Sequence, residues 1–312
     1  MIEITTFRPE LKNDFIALNK QWIEKYFRIE ESDLKTFANV EKIITEGGQI
    51  FFAIDKESNL TAGCCALVNH GGDGFELAKM AVAPEFQGRG IGSRLVGELL
   101  RHARRIGAGR VFLIGNTKLE ESIKLYKKHG FREIPIVGNT YERCDIMLEK
   151  TFCVRKIEPQ DQIAVAQIVR NAFLEFSAPL KNTVYDDPRT FTICDTVINS
   201  LSDYYVYIED NVLLGGCGFY PTEGLPKGYA EVIKFYLRQE ARGKGIGGIL
   251  LNKVINNSKS MGYSHLYIES FPEFSSAVAM YQKYGFHAIP HRLGNSGHTA
   301  TSIFMVKDLA QV

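Results

Sequence analysis

Two short glycine-rich segments are the part of this sequence with the clearest chemical use. They read QGRGIG at 87–92 and RGKGIG at 242–247, and each lies between a strand-like stretch and a helical pattern. Glycines let backbone N–H groups approach a ligand closely, and the start of the next helix adds unsatisfied N–H groups and a positive dipole end. The combination suits an anion of the pyrophosphate type. Arg89, Arg242 and Lys244 add positive charge nearby.

Two other kinds of glycine-rich loop fit these segments less well. A Walker P-loop requires Gly-Lys-Ser/Thr, but Gly245 is followed by Ile246 and no such triplet occurs here. A dinucleotide-binding fold places its glycine turn after the first strand of a βαβ unit. Each segment here follows the fourth predicted strand of its half, so the sequence disfavours both alternatives.

The glycine-rich segments belong to an internal repeat. QGRGIGSRL at 87–95 matches RGKGIGGIL at 242–250, and LYKKHGFREIP at 125–135 matches MYQKYGFHAIP at 280–290. Both matches have the same offset of 155 residues, because 242 − 87 equals 281 − 126. One offset shared by separate segments indicates a domain duplication, and two units are too few for a solenoid. We predict domains at 1–150 and 151–312, without a flexible linker.

Each half contains the same predicted elements in the same order. A short strand and helices are followed by β-rich stretches and then by the glycine-rich segment. Helices are predicted at 90–106 and 245–261, and a later short helix ends at Gly130 or Gly285, which suit a helix C-cap. Two strands close each half. The order predicts an α/β (α+β) fold, with a mixed central sheet flanked by helices in each half.

These residues resemble the GNAT (GCN5-related) N-acetyltransferase superfamily. Its pyrophosphate loop reads Q/R-x-x-G-x-G/A, which 87–92 and 242–247 both match. Its second signature is a short helix that carries a tyrosine before Gly-Phe. The matching residues are Tyr126 with Gly130-Phe131, and Tyr281 with Gly285-Phe286. The resemblance covers nearly the whole chain, twice, and implies two tandem acyl-CoA N-acyltransferase domains.

The resemblance implies acetyl-CoA as the cofactor and a set of residues that bind it. The strand before each loop would pair with the pantetheine arm, and the N–H groups of 87–93 and 242–248 would hold the pyrophosphate. The implied residues of the first half are Met80, Ala81, Val82, Gln87, Gly88, Arg89, Gly90, Ile91, Gly92, Ser93 and Asn116. Those of the second half are Phe235, Tyr236, Leu237, Arg242, Gly243, Lys244, Gly245, Ile246, Gly247 and Gly248. Phe271 replaces Asn116 there, since 116 + 155 is 271.

Acetyl transfer to an amine requires two proton movements. An alkylammonium group with a pKa of about 10.4 must lose a proton, and Glu76 and Glu231 are the candidate bases. Each lies eleven residues before its loop (87 − 76 and 242 − 231), although a solvated strand carboxylate or a cation's partner is an equal alternative. Tyr126 and Tyr281 lie where the family has its tyrosine, which implies proton donation to the departing CoA thiolate. The alternative for both is core packing.

Two further groups of residues could have a functional role, but their patterns are more typical of structural residues. Trp22, Tyr26 and Phe27 end the first helix, where the family shapes its acceptor pocket, yet their spacing is more typical of core residues. His298 could act in acid–base chemistry near pH 7, as histidine side chains can, but a single loop histidine is more typical of a structural residue. It lies in the segment 294–298, which resembles the GN[TS]GH segment of a bacterial branch of these acetyltransferases.

The resemblance therefore implies an acetyl-CoA-dependent N-acetyltransferase that acts on a primary amine of a small molecule or peptide by direct attack. Two alternatives stay open. One half could be catalytic and the other degenerate, an arrangement that resembles mycothiol synthase. The chain could instead be a non-catalytic acyl-CoA sensor, against which the Tyr and Glu residues of both halves argue. The sequence does not identify the acceptor.

Composition limits the partners and the compartment. The 312 residues carry a formal net charge of +1, so no global field draws the chain to nucleic acid or to a membrane. The start, MIEITTFRPE, lacks the basic-then-apolar pattern of a signal peptide, so none is expected, and no apolar run is long enough to span a bilayer. The six cysteines show neither disulfide nor CxxC spacing. We expect reduced cysteines that act as packing residues in a cytoplasmic protein, with a homodimer as one possible assembly. No His/Cys/Asp/Glu cluster has metal-ligand spacing, so no metal is expected.

Overall fold

A computed structural model describes residues 1–72, 74–137, 141–197 and 201–310. The chain divides into two compact units, Met1–Phe152 and Cys153–Val312. The junction expected at Lys150–Thr151 lies next to this division. We propose, from the internal repeat, that each unit folds as an independent domain.

The first unit contains the following described elements. Its helices are α1 (Lys12–Tyr26), α2 (Glu31–Ala38), α3 (Val40–Thr45), α4 (Ile91–Arg105) and α5 (Glu120–Lys128). Its strands are β1 (Ile2–Thr6), β2 (Gln49–Asp55), β3 (Leu60–Asn69), β4 (Gly74–Val82), β5 (Arg110–Gly115), β6 (Arg132–Ile134) and β7 (Ile146–Lys156), whose residues after Phe152 belong to the second unit.

The second unit repeats this order. Its helices are α6 (Gln162–Glu175), α7 (Ile193–Val197), α8 (Ile246–Ser260) and α9 (Ser275–Lys283). Its strands are β8 (Asp203–Glu209), β9 (Val212–Tyr220), β10 (Tyr229–Leu237), β11 (His265–Ser270), β12 (His287–Ile289) and β13 (Ile303–Asp308). The helices that follow the glycine-rich segments begin and end within one residue of their predicted bounds.

The sheet of each unit is antiparallel except at one pair of strands. The order is β1-β2-β3-β4-β5-β7 in the first unit, with β6 beside β7, and β8-β9-β10-β11-β13-β12 in the second. The parallel pairs are β4–β5 and β10–β11, and each has only three residues in register. The pairing ends at Glu76 opposite Phe112 and at Glu231 opposite Tyr267. Beyond these glutamates the paired strands separate and leave a gap in the sheet.

A bulge interrupts the same place in β4 and β10. The register between β3 and β4 skips between Ala78 and Ala81, and that between β9 and β10 skips between Ile233 and Tyr236. Each bulge contains a lysine with a positive φ, Lys79 at 51° and Lys234 at 46°. A lysine rarely adopts this backbone conformation, so the surrounding structure must hold it. The two positions correspond, because 79 + 155 is 234.

Helices cover both faces of the first sheet, as the adjacent cysteines of β3 show. The Asn19 amide of α1 donates to Cys64 Sγ at 3.4 Å, whereas Cys65 Sγ donates weakly to the Leu95 carbonyl of α4 at 3.9 Å. The two thiols therefore point to opposite faces, as strand alternation predicts. The mixed α/β fold with flanking helices, repeated in the two halves, is confirmed.

The expectation that all six cysteines pack inside the protein is wrong for one of them. All six are free, but Cys153 is exposed because the end of β7 presents it to solvent. Cys64, Cys65, Cys194 and Cys217 are buried, and Cys144 is half-buried. Among the described residues, no helix is long and apolar enough to cross a membrane.

Candidate functional site

Each glycine-rich segment forms a tight loop that ends as the N-cap of a helix. Gly90 and Gly245 are the N-cap residues of α4 and α8, and both have left-handed backbone conformations with φ of 72° and 84°. Gly88 and Gly243 share this conformation. A Cβ atom on Gly88, Gly90 or Gly243 would meet no atom within 4 Å, so each loop faces open space there. Glycine is needed here for the backbone conformation and for close approach, not for internal packing.

The helix starts leave N–H groups available in both units. The first N–H to bond within α4 is that of Arg94, to the Gly90 carbonyl, and Ile249 does the same with Gly245 in α8. The N–H groups of residues 91–93 and 246–248 precede these bonds and have no acceptor in their own helix. The first residue of each segment predicted to hold the pyrophosphate, 87–93 and 242–248, does not offer a free N–H group. The N–H groups of Gln87 and Arg242 already donate, to the carbonyls of Pro84 and Gln239 at 3.2 Å.

The first residue of each loop motif attaches the loop to the strand before it. The Gln87 side chain donates to the Val82 carbonyl at 3.0 Å, and Arg242 donates to the Leu237 carbonyl at 3.2 Å. These carbonyls end β4 and β10 at corresponding positions, since 82 + 155 is 237. Glutamine and arginine share a long side chain with N–H donors, which explains why either residue suits this position.

The third glycine of each loop serves packing. A Cβ on Gly92 would lie 3.1 Å from Met80 and 3.2 Å from Leu125, and one on Gly247 would lie 3.2 Å from the Met280 sulfur. Each helix thus approaches the strand before it and the tyrosine helix closely. At the next position Ser93 bonds to His129 at 2.8 Å, whereas Gly248 leaves room for the larger Tyr284.

Several of the predicted cofactor-binding residues have side chains that point away from the loop's open side, which leaves only their backbone groups for the predicted contact. Ala81 and Ile246 are buried in the core, and the Arg89 guanidinium lies 5.3 Å from the centre of the Phe86 ring. Lys244 is exposed. Arg242 forms an ion pair with Glu175 at 2.6 Å, which neutralises the charge expected to attract phosphate. These side chains do not line the cavities described next, apart from Arg242.

Each unit contains one large cavity that joins its glycine-rich loop to the gap between the parallel strands. The first cavity has a volume of about 840 Å³ and the second about 1000 Å³. The predicted residues that line the first are Glu76, Met80, Val82, Gln87, Gly88, Gly90, Ile91, Gly92, Ser93, Asn116 and Tyr126. Those that line the second are Glu231, Phe235, Tyr236, Leu237, Arg242, Gly243, Gly245, Gly247, Gly248 and Tyr281.

The two tyrosines sit at matching places in these cavities. The N–H of Phe131 bonds to the Tyr126 carbonyl at 3.1 Å, and the N–H of Phe286 bonds to the Tyr281 carbonyl at 3.0 Å, so both helices end in the same Gly-Phe cap. Burial raises the pKa of both hydroxyls well above the usual value. Neither hydroxyl has a hydrogen-bond partner among the described residues. Both are therefore protonated at neutral pH and available to a ligand.

The two glutamates occupy different environments. Glu76 accepts a hydrogen bond from the half-exposed His70 at 2.8 Å, and this bond raises the pKa of His70. Glu231 is buried and accepts a hydrogen bond from the Thr222 hydroxyl. Burial, with a smaller contribution from nearby Glu269, raises the pKa of Glu231 to about 7. Glu231 can thus take up a proton near neutral pH, as a general base must.

A polar cluster that the sequence reading missed lines the second cavity beside Glu231. Asp187 lies 3.0 Å from both Arg189 and His298, and Lys234 lies on the same wall. Burial alone would raise the pKa of Asp187, but hydrogen bonds from Arg189 and His298 outweigh it and lower the pKa to about 2. Burial lowers the pKa of His298. The residues come from distant parts of the chain, so no local motif could reveal them.

The corresponding region of the first unit is an ion-pair network. The Lys79 ammonium lies 2.5 Å from Asp33, which is fully buried, and Arg143 lies 2.8 Å from the same carboxylate. Tyr141 lies 3.0 Å from Lys79. The charges of this wall of the first cavity are therefore satisfied within the protein.

The aromatic group at the end of α1 was expected in the core but lines the first cavity. Trp22 packs against Tyr26 and Phe27 with ring centres 5.9 and 6.1 Å apart, and Tyr26 is 48% exposed. The α1 pattern did not show that these rings face a gap in the sheet. Asn116 also lines this cavity, where its amide donates to the Arg143 carbonyl. Phe271 is buried in the second unit and packs against Phe173.

The loop, the split parallel pair and the tyrosine helix occur together in each unit. An acetyltransferase (GNAT) family model matches residues 16–131 and 168–286. The chain belongs to the GNAT acetyltransferase family, and the resemblance inferred from the sequence is confirmed. Acetyl-CoA is the cofactor of this family.

Individual relatives resemble parts of the chain. The uncharacterized N-acetyltransferase YjgM of Escherichia coli is 26% identical over 157 residues, which are 50% of this chain and 94% of the relative. The chain spans 18% of an uncharacterized Mycobacterium leprae protein (43% identical, 22% of this chain) and 47% of an uncharacterized N-acetyltransferase of Schizosaccharomyces pombe (31%, 25% of this chain). The solved structure of yncA from Salmonella typhimurium with acetyl-CoA is 18% identical, with a TM-score of 0.39, over 48% of this chain and 92% of that one.

The described residues fit acetyl-CoA in both units. Each loop presents free N–H groups to open space at a helix N-terminus, which suits a pyrophosphate. The bulge and the separation of the parallel strands leave backbone groups of β4 and β10 facing the cavity. No group of three metal-binding side chains occurs in the described ranges.

Proposed function

We propose that the chain transfers the acetyl group of acetyl-CoA to a primary amine of a small molecule or peptide, and that the second unit carries out the transfer. The supporting observation is the second cavity, where one space adjoins the loop, the Tyr281 hydroxyl and Glu231, whose pKa is about 7. Acetyl-CoA supplies the activated thioester, and the residues of this chain position the amine and move its protons.

Glu231 receives a proton from the acceptor ammonium and so produces the neutral amine that attacks. Its place at the last paired position of β10 puts its carboxylate where the strands separate. Tyr281 donates its hydroxyl proton to the sulfur that leaves as the C–S bond breaks and the C–N bond forms. The proton released by the new amide nitrogen restores the tyrosine, directly or through water.

For the first unit we propose acetyl-CoA binding with little or no transfer. Its loop and Tyr126 match those of the second unit. However, Glu76 is engaged by His70, and Lys79 and Arg143 are neutralised by Asp33. This favours the arrangement with one catalytic unit over two equal ones.

The test is CoA release from acetyl-CoA by the purified full chain with a panel of primary amines, with the acetylated product identified by mass spectrometry. We expect amine-dependent release that Glu231→Gln reduces by about 10²–10⁴-fold, the usual contribution of a general base. Glu76→Gln is expected to cost far less. CoA binding without release for any amine would instead support the acyl-CoA sensor.

A further inference from the structure

The ammonium group of Lys234 is the unusual charge of the second cavity. It lines the wall and, among the described residues, forms no ion pair within 4.0 Å and no hydrogen bond within 3.5 Å, although Asp187 and Glu231 act on it from farther away. The neighbouring charges already have partners, because Arg189 pairs with Asp187 at 3.0 Å and Arg292 with Glu269 at 3.4 Å. Burial lowers the pKa of Lys234, and Asp187 partly opposes this change. A partly buried cation without a partner favours an anion that comes from outside the protein.

The backbone of Lys234 is held by a stronger contact than that of Lys79, whose carbonyl accepts a weak bond from Cys64 Sγ at 3.9 Å. The Tyr204 hydroxyl donates to the Lys234 carbonyl at 2.7 Å across the bulge. Tyr204 is 1% exposed and lies flat over Gly216 and Gly218 of β9, where a Cβ atom would come within 2.5 Å of its ring. Two glycines and one tyrosine thus fix a strained lysine, and strain that is held this firmly is typical of functional sites.

The first unit shows that the same position can be neutralised internally. Lys79 has the same bulge and the same positive φ, but its ammonium contacts Asp33 and Tyr141. The duplicated fold therefore does not require an ammonium without an ion-pair partner at this position. Of the two lysines, only Lys234 of the second unit is in that state.

We propose that the acceptor of the second unit is an amine that also carries an anionic group, of the amino acid type, and that Lys234 binds the anion while Glu231 receives the amine. This inference rests on the proposed function. Both side chains belong to β10, three residues apart. A plain alkylammonium would be repelled by Lys234, whereas a zwitterion matches one cation and one carboxylate.

The test compares matched acceptors that differ only in the anion. Glycine, β-alanine, L-methionine and L-phenylalanine are each assayed beside their carboxamides, and kcat/KM is measured by CoA release. Because the two amines differ in basicity, the decisive quantity is how the carboxylate-to-carboxamide ratio changes between variants. We expect Lys234→Gln to lower this ratio by about 10- to 100-fold, the loss of one hydrogen bond between charged groups.

Two variants control for charge and folding. Lys234→Arg keeps the cation and should retain a preference for the carboxylate. Lys259→Gln removes an exposed lysine from the end of α8 and should leave the ratio unchanged. If Lys234→Gln lowered kcat/KM equally for carboxylates and carboxamides, the ratio would not change and the proposal would be overturned. Lys234 would then serve every acceptor, for example as a base. A variant with wild-type kcat/KM for both kinds of acceptor would overturn it as well.

A binding measurement separates this proposal from the proposed function. Calorimetry of N-acetyl amino acids and N-acetyl amino acid amides, with CoA present, requires no turnover. Tighter binding of the carboxylates, lost in Lys234→Gln, supports the anion site even if no amine is acetylated. Acetylation of plain amines with no preference for carboxylates would support the proposed acetyltransferase function and contradict the zwitterionic acceptor.

Discussion

At the residue scale, the two tyrosines provide the clearest comparison between the units. Tyr281→Phe removes only a hydroxyl that has no hydrogen-bond partner in the described part of the chain, so packing and CoA affinity should change little. We expect kcat to fall by about 10²–10⁴-fold, because proton donation matters only as charge builds on sulfur. Steady-state kinetics with a saturating acceptor measure this loss.

Tyr126→Phe is the matched control for that substitution. If the second unit alone is catalytic, Tyr126→Phe leaves kcat near the wild-type value and the double variant resembles Tyr281→Phe. Turnover close to wild type in the double variant would show that both tyrosines serve core packing and not proton donation.

The raised pKa of Glu231 predicts a pH dependence. Only the carboxylate form accepts a proton, so activity is lost as pH falls below about 7 and is fully present above it. Burial and Glu269 raise this pKa, while the hydrogen bond from Thr222 and the charges of Lys234 and Arg189 lower it. We expect the kcat profile to rise about tenfold per pH unit on its acid limb and then to level off.

Glu231→Gln decides whether that limb belongs to Glu231. The variant should lose the limb together with most of kcat. A variant that keeps both the limb and its turnover would show that another group accepts the proton.

At the scale of elements, the loops depend on glycines with left-handed backbones. Gly245→Val should abolish CoA binding by the second unit, and Gly90→Val by the first. A β-branched residue is strained at these φ values and displaces the N–H groups from the phosphate cradle. Calorimetry with CoA, alongside circular dichroism to confirm folding, measures the effect. Normal CoA binding by both variants would place the phosphates elsewhere.

The strand β9 depends on glycines for a different reason. Gly216→Ala would place a Cβ atom 2.5 Å from the buried ring of Tyr204, so one of them must move. We expect a loss of about 1–3 kcal/mol in the free energy of unfolding, seen as a lower melting temperature. Gly115→Ala in β5 is the control, because its Cβ would meet Ile146 at an ordinary 3.5 Å. Equal melting temperatures for the two variants would show that Tyr204 can shift at little cost.

At the scale of the whole molecule, duplication with divergence predicts two CoA sites and one centre of transfer. Calorimetry of the full chain should give up to two CoA molecules bound per chain. Gly90→Val and Gly245→Val should each remove one of them, but only Gly245→Val should abolish acetyl transfer. Equal losses of activity would mean that both units are catalytic.

The sequence by itself was sufficient for the features that depend on local spacing. The glycine loops, the helices that follow them and the Gly-Phe caps follow from short-range backbone rules, which act within a few residues. The repeat offset of 155 residues follows from comparing the two halves of the sequence. Tyr126 and Tyr281 were singled out by the resemblance to the family's tyrosine helix, not by backbone rules.

The tertiary structure decided how the side chains are paired, because these contacts join distant residues. It attached Gln87 and Arg242 to the strands before them, paired Lys79 with Asp33 and left Lys234 without an ion-pair partner among the described residues. It also brought Asp187 and His298, 111 residues apart, within 3.0 Å of each other beside Glu231. Spacing along the chain contains no information about such pairs, since burial and charge compensation depend on which elements the fold brings together.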